Sequence, residues 1–456
     1  MRNLHEDGTR FRLFPELDAG YLEPETVLLS PPPGSIGPGP EDDQLYVANA
    51  VLKPKQYDPP DYMPPYRAPE FPPAHPSASG HFDHIAVDTP AFLAAHIYGS
   101  ARHTLDIWEQ YLRRRVQWWH APAIPKLELV PIVQWANAHS GPGFLETGVI
   151  RNHLQQDHMF CLNFDVIAHE VGHAVLFAQV GVPAPGKLTS EYLAFHESFS
   201  DLFGVIGVLR FESVIDRLLQ QTQGNLYALN LVSRLGAYSD TEQVRIASTP
   251  ATMADVAGVA LLPNGDWADP TGQNRNQHAL GEPLTGAIFD MLVEVYQDRL
   301  VSRGLIHREA DGRGWRRQDI ERSLEALHTH SARGLARFAP AFREALLEAR
   351  DVVGFGMAHA MKTIHPDTLT FERVAARMLE AAHLLGEQAN IPAMLDHFLR
   401  HGIDPRVFVA QRGSGSRRRL DFVDPFADPS ARRCHDPDAF IAARRLMRHQ
   451  HREIPQ

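Results

Sequence analysis

The sequence predicts an α+β fold with two lobes, an N-terminal lobe that combines a sheet with helices and a C-terminal lobe that is mostly helical. Short β-like runs occur over residues 126–133, and helical spacing of apolar residues follows over 164–179 and 190–209. We expect Ser190 to be the N-cap of the second of these helices. After about residue 225 the pattern is mainly helical. A chain of 456 residues, 44% of them hydrophobic, is long enough to form more than one folded unit.

The chain divides by composition into four segments. Residues 1–80 are proline-rich and carry interleaved aromatic residues such as Tyr57 and Tyr62, so we expect an arm that lies across the folded body. We assign 81–225 to the α+β lobe and 226–400 to the helical lobe. The arginine-rich tail, 401–456, also contains aspartates, which favours a solvated segment over a nucleic-acid-binding one.

Composition excludes several classes of protein and of metal site. The net charge of −11 argues against a nucleic-acid partner. The two cysteines, Cys161 and Cys434, are too far apart in sequence for a zinc finger or a CxxC motif, so a metal would be held by imidazole and carboxylate. No secretory signal and no membrane-spanning run is visible, which predicts a cytoplasmic protein without a membrane partner, although a trimmed secreted form would look the same. Oligomeric state leaves no readable pattern.

The helix predicted over 164–179 carries a motif with metal-binding spacing. His169 and His173 are four residues apart and therefore share one helical face, where two imidazoles can bind one ion. Glu170 follows the first histidine, so it lies off the ligand face but near the metal, where a base acting on bound water belongs. Imidazole pairs suit zinc, whose catalytic sites use three protein ligands.

The next predicted helix offers carboxylates for the third ligand. A histidine six residues beyond His173 would be a metzincin ligand, but that position is Gln179. Glu197 and Asp201 instead lie four residues apart among apolar neighbours, on one helical face. One of these carboxylates can complete the zinc site while the other orients a ligand histidine.

Several segments, in this order, resemble the thermolysin-like zinc metallopeptidases of the gluzincin group. Residues 164–175 resemble the active-site helix of that family, and 197–204 its third-ligand helix. Further similar segments are 137–138, 244–250 and 278–290. The resemblance covers about residues 90–380.

The resemblance implies a two-lobed zincin fold with one zinc ion per chain and a role for each matched residue. Glu197 would be the third ligand beside the two histidines, and Asp201 would orient a ligand histidine. Glu170 would be the general base and His278 would stabilise the transition state. The residues expected to bind substrate are Asn137, Ala138 and Arg245.

Three features depart from the family pattern. The interval between His173 and Glu197 is a few residues longer than usual, and Tyr192 is displaced from the position of the expected active-site tyrosine. Of the acidic residues that bind structural calcium in secreted members, only Asp165 has a counterpart, which leaves calcium doubtful.

Together these observations predict a zinc metalloendopeptidase that acts on peptide or protein substrates. One alternative is a gluzincin aminopeptidase, which needs an acidic anchor for the substrate amine, and Glu146 is the available candidate. Another is a catalytically silent metallopeptidase fold that serves as a binding module. We also hypothesise that residues 1–80 cover the cleft, in which case deleting them would raise activity.

Overall fold

The computed structural model describes residues 7–15, 23–152, 155–237 and 243–410. The α+β fold class is confirmed, with the larger sheet near the N-terminus and a helical C-terminal region. The segment from 411 onward, which includes most of the predicted arginine-rich tail, lies outside the described residues.

The strands of the described residues are short, and most of them form two-stranded antiparallel sheets. In chain order they are β1 (Thr9–Leu13), β2 (Glu25–Leu29), β3 (Leu45–Val47), β4 (Leu127–Val130), β5 (Ala138–Gly141), β6 (Phe144–Thr147), β7 (Val149–Arg151), β8 (Asp157–Met159), β9 (Arg234–Leu235), β10 (Arg245–Ile246), β11 (Ala260–Leu261) and β12 (Trp267–Ala268). The largest sheet has the order β3-β4-β6-β5, with β3, β4 and β6 parallel and β5 antiparallel at one edge.

Two buried glutamates of this sheet bind the proline-rich arm. Glu128 on β4 accepts hydrogen bonds from the hydroxyls of Tyr46 and Tyr57, each at 2.5 Å. Glu146 on β6 pairs with the ammonium of Lys53 at 2.7 Å, and both of these side chains are fully buried. Because buried charges require partners, the arm residues are part of the core around this sheet.

The helices account for most of the remaining described chain. They are α1 (Pro90–Leu112), α2 (Phe164–Gln179), α3 (Ser190–Val208), α4 (Glu212–Thr222), α5 (Gln277–Ser302), α6 (Arg317–Thr363), α7 (Phe371–Leu384), α8 (Ile391–Arg400) and α9 (Arg406–Ala410). Thr89 caps helix α1 by accepting from the Phe92 N–H, and Pro90 fills its first turn. Within the described residues, no helix is long and apolar enough to cross a membrane.

The two predicted site helices are present, with one difference at a cap. We expected Ser190 to cap the second of them, but the Thr189 hydroxyl accepts from the Tyr192 N–H at 3.1 Å and Ser190 is the first helical residue. The Ser190 hydroxyl instead accepts from the Leu261 N–H at 2.8 Å. Adjacent Thr and Ser are both good caps, and the contact with Leu261 occupies the serine.

The described residues fall into two compact units. The first contains the described parts of Met1–Ala178, Ser200–Arg217 and Leu231–Ile246, and therefore the four-stranded sheet, α1 and nearly all of α2. The second contains those of Gln179–Phe199, Leu218–Asn230 and Ala247–Gln456, which include α5 to α9. Helix α3 is one continuous helix whose residues are divided between the units.

Candidate metal centre

Helix α2 places the two predicted ligand histidines side by side. The Nε2 atoms of His169 and His173 lie 3.1 Å apart, as the four-residue spacing predicts. His169 is buried and His173 is half-buried, in a helix whose flanking residues are mostly buried and apolar. The pair is thus held in a largely dry environment with one ring partly open to solvent.

Asp201 on α3 sets the orientation of the first histidine. Its Oδ1 lies 2.8 Å from His169 Nδ1, so the Nδ1 proton is directed to the carboxylate and Nε2 is left as the ligand atom. Burial would raise the pKa of Asp201, but the positive charge of Arg245 and the hydrogen bond from His169 hold it well below its usual range. Asp201 is therefore ionised at neutral pH and acts as an acceptor.

Arg245 on β10 faces the same carboxylate. Its Nη2 lies 2.6 Å from Asp201 Oδ1 and its Nε lies 2.9 Å from Oδ2, so the guanidinium contacts both carboxylate oxygens. Nη2 is also 3.3 Å from His169 Nδ1, but the shorter contact of that nitrogen, with Asp201, determines where the proton lies. The structure thus brings the predicted substrate-binding arginine into contact with the carboxylate behind the ligand.

The third predicted ligand lies one helical turn before Asp201. Glu197 is buried on α3, and each of His169, His173 and Glu197 offers one ligand atom such that all three atoms lie within 4.8 Å of one another. Among the residues that the structure describes, this is the only group of three or more histidine, cysteine or carboxylate side chains that is close enough to hold one metal ion. Helix α5 adds His278, whose Nδ1 is 3.0 Å from Glu197 Oε2.

The donor set fits zinc. Two imidazole nitrogens and one carboxylate oxygen form a common catalytic zinc site, and adjacent ligands of a tetrahedral zinc lie about 3.4 Å apart. The 3.1 Å between the two Nε2 atoms is close to that value. The Asp201–His169 contact is also the usual outer partner of a zinc-bound histidine. The chain therefore offers three candidate ligands and fixes the tautomer of one of them.

The predicted base is next to these ligands in sequence. Glu170 is buried in α2, one position after His169, so its side chain is rotated by about 100° from the ligand face. Two helices thus supply the three ligand candidates, one carboxylate behind a ligand and one carboxylate beside the ligand face.

The predicted substrate-binding strand lies at a sheet edge. Ala138 begins β5, and Asn137 precedes it and accepts the Ala138 N–H on its own side-chain oxygen at 2.9 Å. Strand β5 pairs with β6 on one side and ends the four-stranded sheet on the other, among the described residues. Such an edge can accept an extended peptide as an added strand.

Glu146, the candidate anchor for a substrate amine, is fully occupied. One carboxylate oxygen accepts from Lys53 at 2.7 Å, and the other lies 2.5 Å from His139 Nε2 and 2.5 Å from the Tyr57 N–H. The side chain has no exposed surface. A substrate amine therefore has no route to this carboxylate without displacing the buried lysine.

Tyr192 and Asp165 have structural contacts of their own. The Tyr192 side chain is fully buried and its hydroxyl donates to the Gly181 carbonyl at 2.7 Å. Asp165 accepts the N–H groups of Val166 and Gly236 on its two oxygens, at 2.9 and 2.6 Å. The second contact, which joins residues 71 positions apart, had no signal in the local sequence pattern.

Comparison with known proteins gives little beyond this geometry. No protein-family model matches the chain, and no curated protein sequence matches it. Among solved structures, the precursor of protealysin, a metalloproteinase from Serratia proteamaculans, is similar over 79% of this chain and 87% of its own, with 13% sequence identity and a TM-score of 0.44. A similarity of this degree is too low to bear on the activity of this chain.

Proposed function

We propose that this protein is a zinc-dependent metalloendopeptidase that hydrolyses peptide bonds in peptide or protein substrates. The observation that carries the proposal is the convergence of His169, His173 and Glu197 on one point, with Asp201 behind the first ligand. The position of Glu170 one residue after that ligand adds the group that hydrolysis requires.

Each residue has a defined task in this proposal. Zinc, when bound, supplies Lewis acidity and a water whose pKa is lowered to about 7. Glu170 accepts the proton of the attacking water and delivers it to the leaving amine. Asp201 holds the proton of His169 on Nδ1, which keeps Nε2 available as a ligand.

The remaining predicted residues act on the substrate and on the developing charge. Asn137 and Ala138 align the substrate backbone along the edge strand β5. His278 contacts Glu197 through Nδ1, which directs its Nε2 to the opposite edge of the ring, where it can donate to the oxyanion. Arg245 contacts Asp201. In this proposal it also donates to the substrate carbonyl.

The structure favours an endopeptidase over an aminopeptidase. An aminopeptidase requires an accessible carboxylate for the substrate amine, and the candidate Glu146 is buried and paired with Lys53. A silent binding module remains the other alternative, and it differs from the proposal in having no turnover.

The test compares wild type with Glu170→Gln on an internally quenched peptide whose termini are both blocked. We expect about one zinc per chain in both proteins, hydrolysis of the blocked peptide by wild type, and a loss of about 10²–10⁴-fold in the variant, the usual contribution of acid–base catalysis. Glu212→Gln, at an exposed position on α4, is the matched control and should behave as wild type.

Three results would contradict parts of the proposal. Full activity of Glu170→Gln would remove the assigned base. An active protein without zinc would remove the metal mechanism. Cleavage restricted to peptides with a free N-terminus would favour the aminopeptidase.

A further inference from the structure

The residues that hold Arg245 in place form a connected set within one unit. Arg245 lies on β10, which pairs with β9 in the register Arg245–Leu235 and Ile246–Arg234. Each strand has two residues, and a two-stranded ribbon of this size is not stable without outside contacts. The position of the guanidinium therefore depends on what anchors this hairpin.

The anchors come from the start of helix α2. Asp165 Oδ2 accepts the Gly236 N–H at 2.6 Å, and Asn163 donates from its side-chain amide to the Ala237 carbonyl at 3.0 Å. Both hydrogen bonds are buried, so neither is replaced readily by water. They hold Gly236 and Ala237, the two residues that follow β9.

The backbone at Gly236 cannot accommodate a residue with a side chain. Gly236 has φ +62°, and a Cβ there would lie 2.7 Å from Val244 Cγ2. The Val244 N–H in turn donates to the Leu235 carbonyl at 2.9 Å. The anchored turn is thus packed directly against the residue that precedes Arg245.

Asp165 is also packed against the helix that carries Asp201. A Cβ at Gly204 would lie 3.3 Å from both the Cβ and the backbone oxygen of Asp165. Asp165 is thus part of α2, lies close to α3 and hydrogen-bonds the hairpin, and these three elements supply His169, Asp201 and Arg245. All of these residues belong to the same unit.

We propose that Asp165, assisted by Asn163, is a positioning residue for the metal centre. It fixes the hairpin so that Arg245 meets Asp201, and Asp201 in turn orients His169. Asp165 is not one of the three side chains that converge as candidate ligands, and it acts through Arg245. The inference rests on the proposed zinc site. It adds to that site the buried hydrogen bond between Asp165 and Gly236, which are 71 residues apart in sequence.

The test is a double-mutant cycle on zinc affinity in the full-length, zinc-loaded protein, measured by competition with a chromophoric chelator. Asp165→Asn keeps the size of the side chain but has one acceptor oxygen instead of two, so it cannot accept the Val166 and Gly236 N–H groups on separate oxygens. Loss of an outer partner of a ligand histidine typically weakens metal binding by 10–100-fold, so we expect a loss of about 10-fold. Arg245→Gln should cause a similar loss.

The cycle separates action through Arg245 from general destabilisation. If Asp165 acts through Arg245, the double variant should bind zinc about 10-fold more weakly than wild type, as each single variant does. Independent effects would instead give about a 100-fold loss relative to wild type, whereas the effects of coupled residues do not add. Glu25→Gln is the matched control, since Glu25 accepts the N–H groups of Glu212 and Ser213 in the same unit, away from the site. It should leave zinc affinity unchanged.

Other results of the zinc-affinity measurements would overturn either this inference alone or the proposed function as well. Unchanged zinc affinity in Asp165→Asn, additive losses in the double variant, or an equal loss in Glu25→Gln would overturn the inference alone. A wild type that binds no zinc would overturn the proposed function and this inference with it. If Asp165→Asn does not fold, Asn163→Ala replaces it in the cycle. We then expect a smaller loss of zinc affinity in Asn163→Ala and no additional loss when Asn163→Ala is combined with Arg245→Gln. Wild-type zinc affinity in Asn163→Ala would overturn the inference.

Discussion

Gly172 shows how strictly single positions are determined near the site. It lies on α2 between the two ligand histidines and faces α3, where a Cβ would be 3.0 Å from the Cα and the Oγ of Ser200. It would also be 3.2 Å from a ring carbon of Phe203. Because the nearest atoms include backbone of a packed helix, the two helices would have to separate to admit a methyl group.

We therefore expect Gly172→Ala to reduce the free energy of unfolding by about 1–3 kcal/mol, the usual effect of overpacking. Chemical denaturation with urea measures it. Gly356→Ala on α6 is the control, because its nearest neighbour is the flexible end of Met378 at 3.2 Å, and alanine there should be neutral or slightly stabilising. Equal stability of Gly172→Ala and wild type would contradict the close packing of α2 on α3.

At this scale the sequence predicted that the two histidines meet, because their spacing is local. A four-residue interval on a helix determines that His169 and His173 meet, and the structure has them 3.1 Å apart. The contact between Asp165 and Gly236 could not be predicted in the same way, since it joins a helix to a distant turn. Periodicity carries no information about such a pairing.

Helices α5 and α8 are joined by a buried ionic contact in the helical unit. His397 on α8 has Nε2 3.3 Å from Glu294 and Nδ1 3.7 Å from Asp290, both on α5. Burial would lower the pKa of His397, but the interactions with the carboxylates of Asp290 and Glu294 raise it from 6.5 to about 9. The imidazolium is therefore the form that links these helices at neutral pH.

This contact makes the stability of the second unit depend on alkaline pH. Because the folded-state pKa is raised, the stabilisation is complete below about pH 6.5 and is lost as pH rises through about 9. The shift corresponds to about 3 kcal/mol at most. We expect the thermal midpoint of wild type to fall between pH 7 and 10 more steeply than that of His397→Gln.

The control for this titration is His307→Gln, because the His307 side chain is 64% exposed. This variant should keep the pH dependence of wild type. Parallel curves for wild type and His397→Gln would contradict the assignment of the charge to His397.

Elements with strong periodicity were predicted well and caps less so. Helix α2 runs over Phe164–Gln179 as the apolar pattern indicated, whereas the cap of α3 is Thr189 instead of Ser190. Neighbouring residues of similar capping ability differ only in which contacts the rest of the fold offers them. The hydrogen bond from Leu261 to Ser190 is such a contact, and it is set by tertiary structure.

The proline-rich arm matters for the whole molecule because its residues complete the sheet core. Strand β3 pairs with β4, and Lys53 is the cation of the buried Glu146. Lys53→Met would leave a buried carboxylate without its cation, and breaking a buried pair in this way costs about 3–5 kcal/mol. Thermal or urea denaturation measures this loss.

Lys126→Met provides the control. Its partner Glu41 is 50% exposed, and surface pairs of this kind contribute at most about 1 kcal/mol. Similar losses in the two variants would contradict the structural role of the arm. The same contacts change our expectation for deletion of residues 1–80, which should now disrupt the sheet core before it affects access to the site.

The sequence predicted an arm on the folded body but not its place in the sheet. Proline content indicates irregular backbone, and the aromatic residues indicate packing, yet neither specifies a partner strand. Lys53 and Glu146 are 93 residues apart, and nothing in the composition of either segment identifies the other. Long-range ionic pairs of this kind are determined by the assembled fold.

The proposed function requires that two helices hold one zinc ion with two histidines and one glutamate. A zinc-edge anomalous difference map from crystals of the zinc-loaded protein tests this claim most directly. We expect one strong peak, bound by the Nε2 atoms of His169 and His173 and by a carboxylate oxygen of Glu197, with Asp201 in contact with Nδ1 of His169. Zinc bound at other residues, or no zinc in a protein that still hydrolyses peptides, would contradict it.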